Sequence, residues 1–73
     1  GGEYMRDWLK KLRDDIGMSQ RNVADKIGIS QQYYALIENG ERQKKIDIEL
    51  AQKLADIFGV TLEFICEHEK DVG

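Results

Sequence analysis

Residues 20–37 read QRNVADKIGISQQYYALI, and they are the most informative part of the chain. Apolar side chains recur in it at three- and four-residue spacing on both sides of the segment Gly28-Ile29-Ser30, which predicts two short helices joined by a three-residue turn. Glycine at position 28 permits the positive φ that so sharp a turn requires. The small Ala24 allows two helix backbones to approach closely. The candidate buried residues are Val23, Ala24, Ile27, Ile29, Tyr33, Tyr34 and Ile37.

Three further helices are predicted around this pair. Ser19 and Ser30 are expected N-caps of helices over residues 20–27 and 31–39, with Asn39-Gly40 as the stop. A first helix over about residues 5–15 precedes them and ends before Gly17. Asp47 is expected to cap a fourth helix over residues 48–58, with Ile46 packed onto its first turn. Thr61 is expected to cap a short fifth helix. The apolar stripes are Met5, Trp8, Leu9, Leu12 and Ile16 in the first helix, Ile48, Leu50, Ala51, Leu54, Ala55, Ile57 and Phe58 in the fourth, and Leu62, Phe64 and Ile65 in the fifth.

Length and composition limit the chain to one small domain. Seventy-three residues leave no room for a large enclosed cavity, and 41% hydrophobic content is enough for one core and too much for a disordered tail. We expect residues 1–4 to be a cloning remnant or a flexible N-terminus, 5–67 to be the domain, and 68–73 to be a charged flexible tail. No apolar run approaches the ~20 residues that a membrane span needs.

The single cysteine, Cys66, excludes an internal disulfide and favours a reducing, cytoplasmic setting. We expect it to be a buried or half-buried small hydrophobic residue. Together with His68 it makes only a Cys-x-His pair, too few ligands for a structural zinc site. No metal, cofactor or catalytic group is therefore predicted.

The net charge of −3 hides an uneven distribution. Residues 1–45 hold nine Lys/Arg against seven Asp/Glu, a balance of +2, whereas residues 46–73 hold two against seven, a balance of −5. A basic patch in the first part is therefore compatible with an anionic partner despite the acidic total.

The two helices and their turn describe a helix-turn-helix. The stretch from Met18 to Gly40 resembles the Cro/repressor-type (XRE-type) helix-turn-helix family, and residues 50–64 resemble its closing helices. The resemblance covers about residues 5–66. It implies an all-α, five-helix lambda-repressor-like DNA-binding domain whose third helix enters the major groove.

The resemblance also implies roles for particular residues. Base contacts are expected from Ser30, Gln31, Gln32 and Leu36. Backbone contacts are expected from Gln20, Tyr33, Asn39, Arg42, Lys44 and Lys45. A glutamine amide can bond adenine N6 and N7 together, which contributes ~1–3 kcal/mol of discrimination, while basic side chains bind phosphates irrespective of sequence. Arg13 is expected to pair with Glu38 and so turn this carboxylate away from DNA. The basic segment lacks the proline that is common there in the family.

These features predict a sequence-specific regulator of transcription that binds double-stranded DNA and performs no chemistry. We expect a bacterial or phage repressor acting by occupancy of its operator. Because one recognition helix reads only ~4–6 base pairs, two copies on a near-palindrome are expected, with self-contact through Leu62, Phe64 and Ile65. The alternative is an antitoxin or adaptor, a protein-interaction module of the same fold. A positive stripe around Gln31, Arg42 and Lys44 would favour DNA, and an unbroken acidic surface would favour the adaptor. A small enzyme would need a pocket of perturbed ionisable groups.

Overall fold

The computed structural model describes residues 6–41 and 46–72 and contains five helices in those ranges. They are α1 (Asp7–Asp15), α2 (Gln20–Ile27), α3 (Gln31–Glu38), α4 (Ile48–Phe58) and α5 (Leu62–Val72). No strand occurs in the described residues. The predicted all-α, five-helix fold is confirmed, with α2 and α3 forming the helix-turn-helix.

Four helices begin at a side-chain cap, as the sequence predicted. In each case an oxygen on the capping residue accepts a hydrogen bond from the main-chain N–H three positions later. The pairs are Ser19 with Asn22 (3.0 Å), Ser30 with Tyr33 (3.1 Å), Asp47 with Leu50 (2.8 Å) and Thr61 with Phe64 (3.0 Å). Each bond satisfies an otherwise unpaired amide and contributes about 1 kcal/mol, so the helix starts are fixed locally.

The turn between α2 and α3 depends on Gly28, which has a φ of +90°. The main-chain N–H groups of Gly28 and Ile29 both donate to the carbonyl of Ala24, at 2.8 and 3.0 Å. A side chain added at Gly28 would meet nothing within 4 Å. Glycine is therefore required here for its backbone conformation and not for lack of space.

The core lies between the five helices and contains most of the residues predicted for it. The buried apolar residues are Leu9, Val23, Ala24, Ile27, Tyr34, Ile37, Leu50, Ala51, Leu54, Ala55, Phe58 and Ile65. Trp8, Leu12, Ile29, Tyr33, Ile46, Ile57, Leu62 and Phe64 are partly buried and pack against it. Met5 lies outside the described residues.

Two predictions for the core are wrong. Ile16 is 46% exposed because it follows the last residue of α1, where Gly17 turns the chain at a φ of +70°. Ile48 is 67% exposed because it is the first residue of α4, whose packed face begins at Leu50. Periodicity gives the angle of a side chain around a helix, but it does not tell whether another element covers that end of the helix.

The C-terminal helix is longer than predicted. Residues 68–72 continue α5, where the sequence indicated a short helix followed by a charged tail. Glu69 pairs with Arg6 at 2.8 Å, and the His68 ring packs against Phe64 and Trp8 with centroid distances of 4.1 and 5.6 Å. The contacts of Glu69 with Arg6 and of His68 with Trp8 are distant in sequence and hold the additional turn against the start of α1.

The prediction for Cys66, at the same end of the chain, is also wrong. Cys66 is exposed and not half-buried, because it lies beside and not within the face centred on the buried Ile65. The described residues contain no group of three or more His, Cys, Asp and Glu that could hold a metal ion. Within the same residues, no helix has the length and apolar character needed to cross a bilayer.

Candidate nucleic-acid interface

The first turn of α3 presents polar side chains to solvent. Ser30, Gln31 and Gln32 are all exposed. The Ser30 hydroxyl oxygen accepts the Tyr33 amide at 3.1 Å and so fixes the start of the helix that carries the two glutamines. Amide side chains on a rigid, exposed helix end can approach the edges of bases in a major groove.

The only carboxylate of α3, Glu38, lies on the inner side of the helix and is 4% exposed. Arg13 of α1 donates to both of its oxygens, from Nε to Oε2 at 2.7 Å and from Nη2 to Oε1 at 3.3 Å. Gln20, the first residue of α2, donates from Nε2 to Oε1 at 3.2 Å. The pair that the resemblance implied is therefore present, and three helices meet at one carboxylate.

The pKa values of two groups near Glu38 are raised. The hydrogen bond that Arg13 donates to Glu38, partly offset by desolvation, raises the pKa of the Arg13 guanidinium. Burial, followed by the nearby Glu38 carboxylate, raises the pKa of the Tyr34 hydroxyl well above its usual range. The hydroxyl of Tyr34 makes no hydrogen bond of good geometry within the described part of the chain. Tyr34 is thus a core residue, as the sequence predicted.

A cleft of about 170 Å³ opens beside the ion pair and is lined by Lys10, Arg13, Gln20, Glu38 and Asn39. It brings together Gln20 and Asn39, two of the residues predicted to contact phosphate, with two cationic side chains from α1. Lys10 was not among the residues predicted from the sequence to contact DNA. Its position one turn before Arg13 was the available signal, because residues three apart share one helix face.

The other residues predicted to contact DNA lie away from this cleft or outside the described residues. Tyr33 is half-buried, packs against the core, and lines a groove of about 160 Å³ with Ile29 and the start of α4. Leu36 is half-buried, and its carbonyl accepts the Glu41 amide at 2.9 Å. Arg42, Lys44 and Lys45 fall outside the described residues, so their predicted contacts stay predictions.

Acidic residues outnumber basic ones in the second half of the fold but not in the first. Residues 7–38 hold five basic and five acidic residues, of which Glu38 is buried, whereas residues 48–72 hold two basic and six acidic residues. The lysines of α1 and α2, at positions 10, 11 and 26, are exposed. Of these three lysines, Lys10 lines the cleft.

Comparison with known protein families identifies a helix-turn-helix domain. A helix-turn-helix family model matches residues 9–65. The chain is 35% identical over 68 residues to the uncharacterized HTH-type transcriptional regulator YqaF of Bacillus subtilis, and the match covers 90% of both chains. It is 36% identical over 67 residues to an uncharacterized HTH-type transcriptional regulator of Methanocaldococcus jannaschii, covering 92% of this chain and 98% of the relative.

A third relative is longer than this chain. The SPbeta prophage-derived uncharacterized HTH-type transcriptional regulator YonR of Bacillus subtilis is 39% identical over 57 residues, which are 78% of this chain and 51% of the relative. No solved structure gives a significant match. The family model matches most of the chain, and the first two relatives align with it over nearly their whole length. Because the geometry of α2 and α3 agrees with these matches, the chain belongs to the Cro/repressor-type helix-turn-helix family of transcriptional regulators.

Proposed function

We propose that the chain is a sequence-specific regulator that binds double-stranded DNA with α3 in the major groove. The observation that carries this proposal is the division of polar groups on α3. Gln31 and Gln32 are exposed at its first turn, while its only carboxylate, on Glu38, is held inside by Arg13 and Gln20. The outward face of α3 therefore offers hydrogen-bonding amides without a negative charge that would repel a duplex. In this role Gln31, Gln32, Ser30 and Leu36 contact bases.

The cleft beside Arg13 supports the proposal by supplying a place for the DNA backbone. Lys10, Gln20 and Asn39 line it with donor groups from α1, α2 and the end of α3. A phosphate bound there would fix the register of the duplex relative to α3, while the bases would be read by the first turn. Arg42, Lys44 and Lys45 are proposed to add further phosphate contacts, because they follow α3 directly in sequence.

We propose repression by occupancy of the operator, in the cytoplasm of a bacterium or phage host, by two copies on a near-palindrome. A single helix reads too few base pairs to select one site in a genome, so a second copy supplies the missing specificity. Of the three residues predicted for self-contact, Ile65 is 1% exposed and belongs to the core of its own chain. Leu62 and Phe64, both half-buried, are left as candidates for a symmetric contact.

The adaptor alternative is supported by the exposed acidic residues of α4 and α5, which include Glu49, Asp56 and Glu63. The exposed lysines of α1 and α2 argue against it, because the acidic character of α4 and α5 does not extend over these two helices. The regulator family is normally non-enzymatic, and the proposed function includes no catalytic step.

Selection of bound duplexes from a random pool tests the proposal. Purified protein at low ionic strength is expected to enrich a near-palindromic sequence whose half-sites lie about one helical turn apart. Affinity for the selected duplex is then measured over a salt series beside a scrambled duplex of equal length. Enrichment of no sequence over the scrambled control would refute the proposed function.

A further inference from the structure

A buried arginine joins the start of the chain to its last helix and to α3. Arg6 precedes α1 and is 1% exposed. Its Nε and Nη2 donate to the two carboxylate oxygens of Glu69, at 2.8 and 3.0 Å. Its Nη1 donates to the carbonyl of Ile37 at 2.6 Å, and its main-chain N–H donates to the carbonyl of Glu38 at 2.8 Å. We call Arg6 and Glu69, with these bonds, the Arg6 anchor.

The Arg6 anchor holds the backbone of α3 and not merely a side chain. Ile37 and Glu38 are in the last turn of α3, immediately before Asn39, which lines the cleft. Glu69 also accepts the main-chain N–H of Ile46 at 3.4 Å, which ties α5 to the residue that leads into α4. The last turn of α5, the start of α1 and the end of α3 are thereby fixed relative to one another.

The chemistry of a buried guanidinium makes this arrangement specific. Removing a guanidinium from water is costly, and the cost is offset only when its donors are paired in good geometry. The planar fork of arginine fits the two oxygens of one carboxylate, and the third nitrogen is then directed to a fixed place. In Arg6 that place is the carbonyl of Ile37. Glu69 therefore sets the orientation of the group that holds α3.

We propose that Arg6 and Glu69 are positioning residues through which α5 sets the sequence discrimination of α3. The inference rests on the proposed function. A duplex must meet the glutamines at the first turn of α3 and the cleft beside its last turn at the same time. Loss of the Arg6 anchor lets the last turn shift against α1, so that the two sets of contacts are no longer satisfied together. The affinity that comes from base contacts then falls more than the affinity that comes from phosphate contacts.

The test compares Glu69→Gln with Glu63→Gln. Both variants remove one negative charge from α5, and Glu63 is exposed in the first turn of that helix. The measurement is the ratio of the affinity for the selected duplex to that for a scrambled duplex, at constant salt. Glu69→Gln is expected to lower this ratio by about fivefold or more, a usual size for coupling between two sites. Glu63→Gln is expected to leave it unchanged.

The ratio separates positioning from simple loss of stability. A smaller folded fraction lowers both affinities by the same factor and leaves the ratio intact, and thermal unfolding of each variant measures that fraction. Should Glu69→Gln fail to fold, Glu69→Asp retains the counter-charge of Arg6 while its shorter side chain breaks the paired geometry, and the same fall in ratio is expected. Equal ratios for the wild type and the Glu69 variants would overturn the inference. A ratio of one for the wild type would instead refute the proposed function, and it would be seen before any variant is made.

Discussion

Glu38 of α3 and Arg13 of α1 form an ion pair of 2.7 Å that is almost shielded from solvent, with side-chain exposures of 5% and 11%. The pair determines which face of α3 is free of negative charge. It also forms one wall of the cleft in which Gln20 and Asn39 meet Lys10. One ion pair thus contributes to the packing of α1 on α3 and to the electrostatics of the proposed DNA surface.

Replacing Glu38 by Gln is expected to lower the free energy of unfolding by about 2 kcal/mol, because it removes the charge-assisted hydrogen bonds of the shielded Arg13. Among the carboxylates of the described residues, the guanidinium then keeps only that of the exposed Asp14, 3.4 Å from its Nη1. Urea unfolding at pH 7 measures the change. The control is Glu49→Gln, which removes a carboxylate from an exposed pair with Lys53 at 3.9 Å. That variant should lose less than about 0.5 kcal/mol. Equal losses in the two variants would show that the shielding of Glu38 has no energetic consequence.

Replacing Gln31 or Gln32 by Ala is expected to reduce the affinity for the selected duplex by ~1–3 kcal/mol and to leave binding to scrambled DNA nearly unchanged. Each bidentate amide–adenine contact is lost without any change in charge. Gln52→Ala, the same substitution at an exposed position of α4, serves as the control. A loss of equal size on both duplexes would contradict a role of these glutamines in base reading.

Replacing Lys10 by Gln is expected to weaken binding to every duplex alike and to reduce the slope of log affinity against log salt by about one. The reason is that one phosphate contact in the cleft is lost together with its released counterion. Lys11→Gln is the matched control, because the neighbouring lysine is exposed and does not line the cleft. If Lys11→Gln changes the slope as much, the effect belongs to net charge and not to the cleft.

Replacing Tyr34 by Phe is expected to reduce the loss of stability in alkaline solution. Burial raises the pKa of this hydroxyl, so the folded protein keeps its proton at a pH where the unfolded chain releases it. The contribution is fully present below the ordinary tyrosine pKa of about 10 and is lost as the pH rises further, at up to about 1.4 kcal/mol per pH unit. Urea unfolding from pH 8 to 11 should give a smaller slope for Tyr34→Phe than for the wild type.

Tyr33→Phe is the control for that series, since Tyr33 is only half-buried and lies on the side of α3 towards α4. At pH 7 the Tyr34→Phe variant should be about as stable as the wild type, because the hydroxyl has no hydrogen bond of good geometry to lose. An unchanged alkaline slope in Tyr34→Phe, or a reduced one in Tyr33→Phe, would show that the burial of Tyr34 is not the cause.

Most of the helix boundaries could be predicted from interactions between residues close together in sequence. The helices begin at Ser19, Ser30 and Asp47 because each of these side chains pairs with an amide three residues later, which depends on nothing outside one turn. Gly28 ends α2 for a similarly local reason, the positive φ. Features of this kind can be predicted from the sequence.

Contacts between distant residues could not be predicted in the same way. The length of α5 depends on Glu69 reaching Arg6, 63 positions away, and nothing in the local sequence indicates that pair. Lys10 enters the cleft because α1 packs beside α2 and α3, and the exposure of Ile16 and Ile48 depends on which neighbours cover the helix ends. The Arg13–Glu38 pair was expected from the family resemblance and not from spacing alone.

The Arg6 anchor has a consequence for the order of synthesis. Arg6 leaves the ribosome 63 residues before Glu69, its carboxylate partner. Until Glu69 is available, a nascent chain that packed Arg6 into its final place would bury a cation without a counter-ion, which is unfavourable. Helices α2 and α3 can form early through their own caps, but the end of α3 reaches its final position only after Glu69 has been synthesised.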